Sequence, residues 1–141
     1  MLSGNGHRGE QVRAMKWGIF QQNQYLNIVR TLAWLGIAAV VILSVIPADE
    51  RPVSGIGQGF EHFAAFALVA GTFAAGYRFT LIRLTLLALL FCGGIELLQI
   101  PLPTRHARVS DFVIDFIGAC FAIGLVAAGN KFFMLRFQAD H

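Results

Sequence analysis

Four apolar stretches, each close to the length of a membrane-crossing helix and parted by proline or arginine, restrict this chain of 141 residues more than any other feature. A hydrocarbon core about 30 Å thick takes about 20 residues of helix. The first stretch runs from about Asn27 to Ile46, uninterrupted from Thr31 onward, and the second from about Gly59 to Tyr77. The third runs from about Thr80 to Ile100 and the fourth from about Asp111 to Asn130. Pro47 with Pro52, the Arg78 edge, and Pro101 with Pro103 supply the breaks. With hairpin-length connections and no internal repeat, the expected fold is all-α, a four-helix transmembrane bundle of up-and-down topology. It leaves a polar basic segment at 1–26 and a tail at 131–141 on either side of a membrane domain at 27–130.

Composition excludes the competing classes. The chain is 56% hydrophobic and only 13% charged, against roughly a quarter charged in a soluble domain. A mean hydropathy of +0.63 is incompatible with disorder, and two cysteines make no disulfide scaffold. Cys92 and Cys120 lie inside apolar stretches and read as small buried hydrophobes. A net charge of +3 and a pI near 9.3 do not point to nucleic acid, because the basic residues sit at the edges of apolar stretches rather than in a run.

Those edges give an orientation. Arg8, Arg13, Lys16 and Arg30 precede or open the first span, Arg78 and Arg83 join the second to the third, and Lys131 and Arg136 follow the fourth. By the positive-inside rule, both termini are expected in the cytoplasm, the protein being a multi-pass component of the inner (cytoplasmic) membrane. Arg105 and Arg108 then face outward, against the rule, as if kept there for use. A signal peptide cleaved after Ala48 fits less well, since the apolar run is long and Ile46 is bulky where a small residue is needed. Small residues four apart, Ala67, Gly71 and Ala75 on the second span and Gly118 and Ala122 on the fourth, suit close helix contact.

The residues foreign to lipid all fall at the outer ends: Glu61 and His62, Glu96 and Gln99, Asp111 and Asp115. At a rise of about 1.5 Å per residue, Glu96 and Asp115 lie about 7 Å inside the ends of their helices and so at similar depth. Glu96 and Gln99 share one helix face, as do Asp111 and Asp115. A charge in hydrocarbon costs at least about 2.5 kcal/mol, so such groups are placed against partners or water. Arg105 and Arg108 are the obvious partners. Plainer readings stand beside this one: Asp111 complements a helix dipole after a capping Ser110, Glu61 and His62 are solvated at the interface, and the arginines snorkel.

The motifs Glu61-His62-Phe63-Ala64-Ala65-Phe66, Glu96-Leu97-Leu98-Gln99 and Pro103-Thr104-Arg105-His106-Ala107-Arg108-Val109-Ser110-Asp111, continuing to Asp115 and Gly118, resemble the VanZ-like family of small membrane proteins. The similarity covers about 47–124. It implies a cell-envelope role associated with teicoplanin resistance, and it carries over His62, Glu96, Gln99, Arg105, Asp111 and Asp115. The chain departs from the family pattern at Gln58 and Gly59, where an Asp-Lys pair is usual, and at Asp115, where Asn is usual.

Two functions compete. In the first, a pocket between spans two, three and four recognises an anionic membrane lipid or lipid-linked glycan intermediate. Arg105 and Arg108 hold phosphate, Gln99 and Ser110 orient the head group beside Asp111, and Asp115 and Glu96 steady the arginine loop. In the second, His62 is a general base or nucleophile oriented by Asp115 or Glu96, for phosphoryl or glycosyl transfer or hydrolysis on a lipid. No cofactor is expected, and a metal held by His62, Glu96 and Asp115 lacks any short ligand spacing. A channel is disfavoured because inner-half residues such as Thr85 and Ser44 are too sparse to line a path.

Overall fold

The computed structural model describes residues 4–47, 55, 57–102 and 108–139. Within them the chain is helical without strands: α1 (Gly4–Val45), α2 (Gln58–Gly76), α3 (Leu81–Gln99) and α4 (Val109–Ala139). Among the described residues, three helices are long and apolar enough to cross a membrane, in α1, α3 and α4. The fourth, α2, is rich in Ala and Gly and carries Glu61 and His62. Large apolar side chains such as Ile82, Leu90, Leu97 and Leu125 point outward, the inverse of a water-soluble surface and the pattern of a multi-pass membrane protein.

Two helices overrun the expected boundaries. α1 begins at Gly4 rather than near Asn27, because no proline lies between Glu10 and Leu26 and the helix continues through Gly18 and the β-branched Val12 and Ile19, each an isolated weak helix former. Its 42 residues extend about 63 Å, twice a hydrocarbon core. α4 continues past Asn130 to Ala139 for the same reason. At its other end α1 stops just ahead of Pro47, which cannot donate to the helical ladder.

Local chemistry sets the remaining ends. Gly57 opens α2 at φ 106, a left-handed backbone that a side chain would strain. α2 ends at Gly76, whose carbonyl accepts from Arg30 Nε at 2.9 Å. The Thr80 hydroxyl caps α3 by accepting from the Arg83 N–H at 3.4 Å. α4 begins where the Arg108 carbonyl accepts from the N–H groups of Asp111 and Phe112.

Packing determines how these helices stand to one another. α2 and α4 make the most extensive contact and run parallel, with Gly59 beside Ile114, Phe63 beside Gly118, and Gly71 beside Ala122. Gly118 is indispensable to this approach, since a Cβ there would lie 2.5 Å from the Phe63 carbonyl oxygen. α1 runs antiparallel to α2, with Val29 and Arg30 against Gly76 and Gly36 against Val69. Val40, Phe66, Val69, Cys92 and Ile95 form the shared core. This arrangement brings the start of α2, the end of α3 and the start of α4 to one end of the bundle.

Candidate functional site

His62 enters the bundle on the first turns of α2, and Asp115 enters from α4 on the second turn after Ser110. The parallel α2–α4 contact puts them level. Nδ1 of His62 lies 3.0 Å from Oδ1 of Asp115, and both side chains are buried, Asp115 completely. With an ionised aspartate the imidazole donates from Nδ1, which holds the ring in one tautomer and leaves Nε2 as its basic nitrogen. Burial strengthens that bond, because no water competes for either group.

Glu96 belongs to the same layer. Its carboxyl group lies within electrostatic reach of His62, Asp111 and Asp115, and the Arg108 backbone N–H faces it. Oε2 of Glu96 is buried without a hydrogen-bond partner among the described residues. The expected convergence of three helices is therefore present for His62, Glu96 and Asp115. Of the two carboxylates expected to orient His62, Asp115 is the one that bonds it, while the main chain of Arg108 rather than its guanidinium faces Glu96, the Arg108 residue itself being exposed. Arg105 lies outside the described residues.

The other expected binding residues sit around this layer. Gln99 is buried, and its Nε2 donates to the Ser44 carbonyl at 3.4 Å, tying the end of α3 to the last turn of α1. That carbonyl has no acceptor role left within its own helix, so the amide acts as a cap. Ser110 is exposed, and its hydroxyl donates to Oδ1 of the half-buried Asp111 at 3.2 Å. The pair closes on itself at the mouth of α4. Glu61, one residue before His62, is half-buried in the first turn of α2, where a carboxylate complements the helix dipole.

Ser44 is a correction. It does not belong to the inner half of the bundle; it is buried beside Gln99, at the end that carries His62 and Asp115. Its position two residues before Ile46, where the first apolar stretch ends, carries that signal already. Among the described residues no three His, Cys, Asp or Glu side chains gather closely enough to hold a metal ion. No family model, curated protein or solved structure matches the chain.

Proposed function

We propose that this chain is a VanZ-like protein of the inner membrane that recognises an anionic lipid, or a lipid-linked glycan intermediate of the envelope, at the outer leaflet. In this reading α2 crosses as a fourth span and both termini are cytoplasmic. The observation that carries it is the gathering of His62, Glu96 and Asp115, from three helices, at the one end of the bundle where the Arg105–Arg108 connection joins α3 to α4. Acidic groups at that depth need nearby positive charge, and guanidinium groups offered from the same connection suit a phosphate, which they bind in bidentate fashion.

Native mass spectrometry of the purified protein tests this reading directly. A phosphate-bearing lipid should co-purify, and Arg105→Ala with Arg108→Ala should lose it. Equal retention of lipid in the arginine variants would overturn the proposal.

The 3.0 Å His62–Asp115 bond also favours a second reading, a membrane-embedded enzyme. An aspartate that fixes an imidazole through Nδ1 prepares Nε2 to take a proton from an attacking water or hydroxyl. Turnover of a lipid-phosphate substrate that disappears in His62→Ala, with head-group binding retained, would establish it. Unchanged turnover in that variant would remove His62 from the chemistry.

A further inference from the structure

Beneath the polar layer lies an apolar cavity of about 250 Å³ that touches all four helices. Its outer end is formed by Phe66, Cys92 and Ala119. Each of these is four residues along its helix from a member of the layer: His62, Glu96 and Asp115 respectively. On a helix that spacing is one turn, so the cavity begins directly below the polar groups, on the same faces. It continues along α3 as far as Leu84 and along α2 as far as Phe73. From Leu84 to Cys92 the axial distance is about 12 Å.

The cavity is half-enclosed rather than sealed. Trp34 of α1 and Leu87 of α3 line it and are also exposed, and these two helices meet only sparsely. Its mouth therefore opens sideways between α1 and α3, toward the surroundings of the apolar helices and not along the bundle axis. The lining is almost wholly hydrocarbon and aromatic. Water has too few partners there to remain, whereas an apolar cavity of about 150 Å³ already admits benzene.

We infer that this cavity holds one hydrocarbon chain of a membrane lipid, which enters between α1 and α3 and ends below His62, Glu96 and Asp115. The surroundings of membrane-crossing helices offer that occupant at high concentration. A chain that moves from the bilayer into the cavity exchanges one apolar surrounding for another, so its occupancy rests on that local concentration and on the dispersion contacts that the cavity lining otherwise forgoes. The inference extends the proposed head-group recognition to the tail of the same lipid and rests on that reading only for where the head group sits.

Phosphatidylglycerol with a diazirine in the middle of one acyl chain, incorporated with the full-length protein into vesicles and illuminated, provides the test. Adducts mapped by peptide mass spectrometry should fall on Val69, Ala88 and Cys92 as well as on the outward Ile82, Leu90 and Leu97. Ala88→Phe, which fills the cavity, should abolish label at Val69 and Cys92 and leave Leu90 labelled. Adducts confined to Ile82, Leu90 and Leu97 in the wild-type protein would overturn the inference, whether or not the variant folds. Diazirine diacylglycerol, which lacks phosphate, separates the two readings. Equal cavity labelling by both lipids would support the tail site and count against phosphate recognition. Phosphate-dependent retention in native mass spectrometry with an unlabelled cavity would do the reverse.

Discussion

A histidine and an aspartate that are both buried 3.0 Å apart solvate each other in part, and a penalty for removing one falls on the other. A hydrogen bond to a charged group contributes about 1.5–3 kcal/mol, and leaving its partner buried adds desolvation to the loss. His62→Ala should therefore lower stability in detergent by about 2 kcal/mol or more, read as the shift of a denaturant or thermal midpoint. The double variant His62→Phe with Asp115→Leu should lose less than the sum of the two single losses, since replacing both members leaves neither buried without the other. Additive losses in that cycle would show that the two side chains do not depend on each other. The depth of both residues was legible by counting from the helix ends. Their pairing was one of the alternatives the sequence offered, with Asp115 or Glu96 beside His62, and which of them the imidazole meets depends on each helix's rotation about its axis.

At the scale of helices, two C-termini end on a side chain from the helix beside them. Arg30 of α1 closes α2 at the Gly76 carbonyl, and Gln99 of α3 closes α1 at the Ser44 carbonyl. Arg30 also stacks over the Tyr77 ring at 5.1 Å, so Arg30→Ala removes a cap and a cation–π contact together. It should cost about 1 kcal/mol at this half-buried site, with Arg30→Lys restoring only part of it. The α2–α4 crossing gives a sharper contrast. Gly118→Ala places a methyl 2.5 Å from the Phe63 oxygen, backbone that cannot swing aside, and should destabilise by about 1–3 kcal/mol as the helices part. Gly124→Ala meets nothing within 4 Å and should instead stabilise by about 0.5–1 kcal/mol through helix propensity. Equal midpoints for the two variants would refute the close approach at Gly118. The small-residue spacing had pointed to this contact. The overrun of α1 and α4 was hidden, because apolar stretches delimit what suits a membrane and say little about where a helix stops.

For the whole molecule, the side-chain pairings give an alternation of direction that hydropathy alone could not supply: α1 against α2, and α2 alongside α4. Outward-facing and core-facing positions of such helices are both apolar, so the amphipathic stripe that reveals packing in a soluble bundle is blurred. The polar residues and small residues are what remain visible, and they are the ones that locate the crossings correctly. If α2 crosses the membrane with the other three, an even number of crossings places Gly4 and Ala139 on one side, and by the positive-inside rule the basic residues near both ends would put that side in the cytoplasm. A single cysteine added at the carboxy-terminus of a Cys92→Ala, Cys120→Ala background should then resist a membrane-impermeant maleimide in intact cells and react after permeabilisation. A cysteine at Gly55, in the connection between α1 and α2, should react in intact cells. The two positions report on opposite faces, so α2 lying along the surface instead of crossing would reveal itself by reaction at both sites in intact cells, or at neither.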